Sequence, residues 1–310
     1  MPNLLPPITC VEEALSYRRR ILAALAQDVR FRPLLTAYLT DNTDLDELRR
    51  GHSEGVFVAA KLYPAGATTH SHLGVTDWKK LMGVFEGMAL LGMPLLLHGE
   101  VVDPEVDLFD REAVFLERVL APLQRRLPEL RIVLEHVTTA EAVRYVAEGG
   151  EGLAATITAH HLVINRNALF SGGMRPHLYC LPIAKREKHR QALRRAAVSG
   201  DPHFFLGTDS APHPLAQKEA ASASAGIFSA PAALEIYAEV FEEEGALDRF
   251  EAFASENGPR FYRLPPNESR VKLLRQAFVV PRRVGKGAGA VIPFRAGESV
   301  SWRVSRDGSS

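Results

Sequence analysis

Four residues of the chain have side chains that could do metal chemistry together: Lys61, His98, His136 and Asp209. Each stands at or within two residues of the end of a short apolar run, in 56–63, 94–100, 132–137 and 203–210. Singly they say little. A lysine at the end of a buried strand ordinarily reaches water, a core histidine is ordinarily just hydrogen-bonded, and an aspartate after a strand commonly caps the next loop. Together, two neutral imidazoles and a carboxylate are the nitrogen and oxygen ligands that Zn²⁺ accepts. An unprotonated lysine amine in that company can add carbon dioxide and become a carbamate, an anionic ligand whose two oxygens can bridge two cations. Two bridged metals would share one water, make it more acidic and polarise a substrate carbonyl. The expected chemistry is addition to, or elimination from, an amide or imide carbonyl, with Asp209 as proton carrier.

The elements that must position these residues follow from hydrophobic patterning. Val56-Phe-Val-Ala-Ala-Lys-Leu-Tyr63 has the β-branched and small residues of an interior parallel strand. Further strands are predicted over 34–40, 94–100, 132–137, 153–158 and 203–210. Helices are predicted over 45–50, 77–91, 110–126, 140–147 and 187–198. A first helix opens with Thr9 as N-cap, acids Glu12 and Glu13 in its first turn, and an apolar side of Ala14, Ile21, Leu22 and Leu25. Six strands alternating with helices or long loops indicate a parallel sheet, either doubly wound or closed into a (β/α)₈ barrel. A barrel needs two more strands, and their place is upstream of Met1. From Pro265 the pattern changes to short extended pieces at 278–280, 290–294 and 299–304 around the Gly-rich turn 285–289. The expected division is therefore a barrel domain over 1–264 and an appendage over 265–310, with a disordered tail at 305–310.

Composition narrows the function classes. Basic and acidic residues balance at 37 each, so no electrostatic footprint for nucleic acid or an anionic membrane is expected. A small-molecule substrate is. The two cysteines, Cys10 and Cys180, give no disulfide framework and suit a reducing cytoplasm. No apolar run approaches the roughly 20 residues of a membrane span, so a soluble cytoplasmic protein is expected.

The residues also carry a resemblance. Met1-Pro-Asn-Leu, Lys61-Leu-Tyr-Pro-Ala with Ala67-Thr-Thr, His98-Gly-Glu and Glu135-His-Val-Thr-Thr resemble motifs of the dihydroorotases, in the amidohydrolase superfamily. So do Gly173-Met-Arg-Pro-His-Leu-Tyr-Cys-Leu-Pro182, Gly207-Thr-Asp-Ser-Ala-Pro-His213 and Asn257-Gly-Pro-Arg-Phe-Tyr. The resemblance implies a (β/α)₈ barrel with two Zn²⁺, and reversible cyclisation of N-carbamoyl-L-aspartate to L-dihydroorotate in pyrimidine biosynthesis. It implies that Lys61 is the carboxylated bridge, that His98 and His136 hold the more buried metal, and that Asp209 binds the other and shuttles the proton. Asn3 and His213 would hold the substrate carboxylate, and backbone groups of Leu181 and Ala225 the ring amide. Thr68 and Thr69 would close a mobile lid over the substrate. A homodimer is a possible assembly.

The chain departs from the family in one respect. The family's first strand carries a His-x-His pair for the exposed metal, followed by an arginine, and this chain has no such element. His70-Ser-His72 does not replace it, because it lies on the lid. His160-His161 and His177 read as structural or supporting residues. A start called at an internal methionine would explain the gap, and a genuine truncation is the other explanation. The remaining alternatives are a hydrolase of another cyclic amide, such as a hydantoin or dihydropyrimidine, and a non-catalytic relative that serves as a binding or assembly partner.

Overall fold

The computed structural model describes residues 3–27 and 29–305. The disorder expected at the C-terminus falls on 306–310, outside the described residues, apart from Ser305, which ends a strand. The chain divides into two compact units, Met1–Glu135 with Gly150–Leu153, and His136–Gly149 with Ala154–Ser310.

In the first unit four parallel strands follow the chain order: β1 (Leu35–Tyr38), β2 (Phe57–Leu62), β3 (Leu95–His98) and β4 (Ile132–Glu135). Their apolar runs are buried almost without interruption, which is the pattern of parallel strands covered on both faces. The covering helices are α1 (Val11–Ala23), α2 (Leu45–Ser53), α3 (Met82–Leu91) and a long helix of α4 (Arg111–Phe115), one π turn (Leu116–Leu120) and α5 (Ala121–Arg126). Helix α1 starts one residue later than predicted. Cys10 is its N-cap, because the Glu13 carboxylate accepts from the backbone N–H of both Thr9 (2.7 Å) and Cys10 (3.2 Å). Its predicted apolar side holds only at the start. Val11 and Ala14 are buried, whereas Leu22 is 44% exposed.

In the second unit β5 (Leu153–Ile157) pairs in parallel with β6 (Phe204–Leu206), placing Thr156 opposite Phe205. The helices are α6 (Ala140–Ala147), α7 (Ala159–Val163), α8 (Glu187–Ala197), α9 (Leu215–Lys218), α10 (Ala233–Glu243) and α11 (Asn257–Tyr262). Of these, α7, α9, α10 and α11 were not predicted from the sequence. Helix α10 supplies much of the core, with Tyr237 and Phe241 fully buried against Phe253 and Phe250. The Tyr237 hydroxyl donates to the Ile157 carbonyl (2.7 Å), which ties the helix to the end of β5. The extended pieces after Pro265 form two antiparallel pairs: β7 (Lys272–Leu274) with β10 (Arg303–Ser305), and β8 (Phe278–Val279) with β9 (Ser299–Val300). The piece predicted at 290–294 is no strand; it makes only the isolated bridges Val284 to Val291 and Phe228 to Pro293.

The strands end earlier than the apolar runs that signal them. His136 is one residue past β4 with φ +47°, and Asp209 is three past β6 with φ +40°. A left-handed backbone turns the chain out of the sheet and costs a non-glycine residue of order 1 kcal/mol or more. Two of the four predicted metal ligands carry that cost.

Candidate metal centre and substrate contacts

Lys61 is the fifth residue of β2 and is completely buried, opposite Leu96 in the neighbouring strand. Burying an ammonium is expensive unless it is paired, and here it makes an ion pair with Glu135, the last residue of β4. His98 ends β3 directly opposite Glu135 and is 1% exposed. Its Nε2 lies 2.8 Å from a carboxylate oxygen of Glu100, itself buried. A metal-bound imidazole characteristically hands its other N–H to a carboxylate, which fixes ring orientation and tautomer. Glu100 would be that partner if His98 held a metal. Tyr63 packs beside both residues, with the Lys61 Nζ 4.9 Å from its ring centroid and the His98 ring 5.9 Å away.

The lid residues belong to the same unit. The Thr68 N–H donates to the Ser71 hydroxyl (2.9 Å), which donates back to the Thr68 carbonyl (2.6 Å). The Asn3 side-chain amide donates to the Thr69 carbonyl (3.0 Å) and accepts from the Tyr63 hydroxyl (3.1 Å). Asn3 is therefore joined to the lid and, through Tyr63, to the neighbourhood of Lys61 and His98. His70 and His72 are exposed on this loop.

In the second unit the His136 N–H donates to the Thr156 hydroxyl (2.7 Å), and the next amide, Val137, donates to the Thr156 carbonyl (3.0 Å). Thr156 thus anchors the turn on which His136 sits. The same threonine meets the Asp209 loop, because a Cβ on Gly207 would fall 2.5 Å from the Thr156 Cβ and 2.9 Å from its hydroxyl. Only a glycine fits between them. Gly207→Ala is expected to push Thr156 off His136, lowering stability by about 1–3 kcal/mol through overpacking and metal content with it. Thermal unfolding and metal analysis of that variant check this, and a variant with unchanged metal content would refute it. His213 lies against Gly226, whose φ is +152° and whose Cβ would stand 2.7–2.8 Å from the His213 ring. Ala225 is buried and Leu181 half-buried.

His160, His161 and Cys180 form a second cluster, all buried, with potential ligand atoms within 4.8 Å of one another. Burial drives both imidazoles down, His160 to about 3 and His161 well below the ordinary histidine range. The His161 ring already bridges the Thr158 hydroxyl (2.8 Å) and the Pro182 carbonyl (3.0 Å). The positive charges of Lys185, which acts on His161, and of Lys218, beside Cys180, oppose a cation here. The cluster is a packed structural element. His177 pairs with Glu219 at 3.1 Å on a more open surface.

Each unit thus carries part of the predicted constellation. The first brings Lys61 and His98 to adjacent strand ends, with Asn3, Thr68 and Thr69 linked to them. The second anchors His136 on Thr156 and packs Gly207, two residues before Asp209, against the same threonine, with His213 lying against Gly226 beside Ala225. Each unit's donors are of types that zinc accepts: in the first, buried Lys61 and His98 with the Glu100 carboxylate at His98; in the second, His136 and Asp209 on left-handed backbone. Glu100 and Glu135 went unread as functional residues although both lie inside quoted motifs; their signal was a carboxylate within two positions of each histidine.

No protein-family model matches the chain. Over 304 residues it is 61% identical to a dihydroorotase of Sphingopyxis alaskensis, covering 98% of this chain and 88% of that protein. The chain belongs to the dihydroorotase family. A dihydroorotase of Synechococcus sp. (strain RCC307) is 60% identical over 98% of this chain and 87% of its own length. The crystal structure of the Saccharomyces cerevisiae dihydroorotase in complex with 5-fluoroorotic acid superposes with a TM-score of 0.89 at 34% identity, covering 98% of this chain and 88% of that one. The resemblance seen in the motifs is borne out, and the fold is the TIM-like α/β barrel of dihydroorotases, which are metal-dependent cyclic amidohydrolases. Among the described residues no helix is long and apolar enough to cross a membrane.

Proposed function

We infer that the protein catalyses the reversible cyclisation of N-carbamoyl-L-aspartate to L-dihydroorotate, a reaction of pyrimidine biosynthesis. The observation that carries this reading is 60–61% identity to dihydroorotases along 98% of the chain. Residues 1–264 would serve as the catalytic barrel and 265–310 as its appendage, in the cytoplasm. Lys61 as a carbamate, His98, His136 and Asp209 are the groups that would hold two Zn²⁺. When bound, the pair supplies Lewis acidity to water and to the carbonyl under attack.

The chain's own groups do the rest. In ring opening the Asp209 carboxylate accepts a proton from the attacking water and returns it to the ring nitrogen as the amide bond breaks. Cyclisation reverses this: the ureido nitrogen gives its proton to Asp209 as it attacks the side-chain carboxyl group, and water leaves. Asn3 can hold the substrate carboxylate with the N–H that does not bind Thr69, and His213 from the other loop. Backbone groups of Leu181 and Ala225 orient the ring amide, and Thr68 and Thr69 exclude water when the lid is down.

The carboxylate contacts distinguish dihydroorotate from neutral rings. Purified protein is expected to open L-dihydroorotate with kcat/KM at least about a hundredfold above dihydrouracil, which lacks the carboxylate, since two charge-assisted contacts, from Asn3 and His213, are worth ~1.5–3 kcal/mol each. Preference for dihydrouracil or a hydantoin would replace this reading with that of a hydantoinase.

A further inference from the structure

Lys218 is 3% exposed, at the end of the short helix α9. Burial pushes its amine down to about 8. A buried lysine requires partners for all three donors, and this one has them. Its Nζ donates to the carbonyls of Tyr179 (2.9 Å), Ser224 (2.8 Å) and Gly226 (2.8 Å). These acceptors are not random surface loops. Ser224 and Gly226 flank Ala225 on both sides, and Tyr179 lies two residues before Leu181. The Gly226 N–H donates to the same Tyr179 carbonyl (3.0 Å), so the two loops are joined twice at one oxygen. The Tyr179 ring stands 5.7 Å from the ammonium and covers it. The Ser224 N–H donates to the Gln217 carbonyl (3.0 Å), which closes the turn from α9 back to Ala225.

A single buried charge therefore organises the backbone that carries both ring-amide contacts. Gly226, whose carbonyl it holds, also lies close to the His213 ring, since a Cβ there would stand 2.7–2.8 Å from it. Three carbonyls converging on one point repel each other unless a cation stands between them.

We propose that Lys218 is a positioning residue for the substrate, its ammonium clamping the Tyr179, Ser224 and Gly226 carbonyls so that Leu181, Ala225 and His213 present their groups to a cyclic imide bearing a carboxylate. The inference rests on the dihydroorotase reading. Lys218 does not touch substrate and acts through the loops it holds. Its loss should weaken ground-state and transition-state binding alike, which raises KM and leaves kcat nearly unchanged.

The test compares wild type with Lys218→Met in the full zinc-loaded chain, measuring metal content, melting temperature, and KM and kcat for L-dihydroorotate and N-carbamoyl-L-aspartate. The expected result is wild-type zinc, KM raised about five- to tenfold for both substrates, the equivalent of one lost hydrogen bond, and kcat within about twofold. A folded, zinc-loaded variant with wild-type KM overturns the proposal even if its melting temperature falls, because that is the mark of a purely structural lysine. Should Lys218→Met not fold, Lys218→Arg keeps the charge while its planar fork cannot serve three converging carbonyls. KM raised about threefold or more in that variant supports the clamp, and an unchanged KM overturns it. Absence of turnover by the wild-type protein would defeat the dihydroorotase reading instead, so the two failures are distinguishable.

Discussion

Lys61→Ala is expected to lower kcat/KM for dihydroorotate by about a thousandfold or more, the scale of removing one preorganised electrostatic group from a catalytic site, and to lose bound zinc with it. The lysine is fully buried at a strand end, so no other side chain can take its place. As an ammonium it pairs with Glu135. As a carbamate it would be an anion, and the pair with Glu135 would give way to metal. The two states exclude one another, and small-molecule rescue separates them. Acetate can enter the space vacated in the alanine variant and supply two ligand oxygens, whereas ethylammonium can only replace the cation. Recovery of zinc and turnover with acetate is the result the carbamate requires. Recovery with ethylammonium alone, or an alanine variant that keeps two zinc ions and full turnover, would overturn it. Part of any loss will be stability, because a half-buried Glu135 without its cation costs about 3–5 kcal/mol. Metal content should therefore be read on protein shown to be folded.

The second large effect is on acid stability. His160 is held down to about 3 by burial and His161 well below the usual range by burial together with the charges of His160 and Lys185. His160 is neutral in the folded chain at pH 5, whereas unfolded histidine takes up a proton below about 6.5. The unfolded state then binds more protons, so stability is fully present above pH 6.5 and falls progressively as pH drops toward 3. At pH 5 the loss from His160 is about 2 kcal/mol, one and a half pKa units at roughly 1.4 kcal/mol each. Denaturant unfolding at pH 7 and pH 5 is expected to show a loss of about 2 kcal/mol from His160, with His161 adding to it in the same direction. In His160→Met, with that titrating ring removed, the difference should shrink by about 2 kcal/mol. An unchanged difference would mean the ring is already protonated, or reached by water, in the folded state. Neither ring nitrogen of His160 has a protein hydrogen-bond partner among the described residues, so the methionine is expected to be tolerated at pH 7 as well.

How the site could be read from sequence is clearest at Lys61. A charged residue inside an apolar run breaks the pattern, and the same kind of break recurs at His98, His136 and Asp209. Because parallel strands put functional side chains at their carboxyl ends, four interruptions at four strand ends point to one rim. The motifs around them carried the family. The supporting residues were less visible. Glu100 and Glu135 are marked only by standing within two positions of a histidine, and Thr156 and Lys218 are ordinary residue types at ordinary positions. Helix α10 was missed because its buried face reads as an apolar stretch with no capping signal.

The sequence by itself determined the strand and helix alternation and the place of Lys61, His98, His136 and Asp209 at or just past strand ends, since periodicity and residue chemistry are local properties. Tertiary structure decided what surrounds them: that Lys61 meets Glu135, that His98 meets Glu100, that Thr156 braces His136 and meets Gly207, and that Lys218 joins two loops. Those pairings span from 2 to 74 positions along the chain. Burial and hydrogen-bond partners arise only when the strands pair, so the longer of these pairings lie in no short window of sequence.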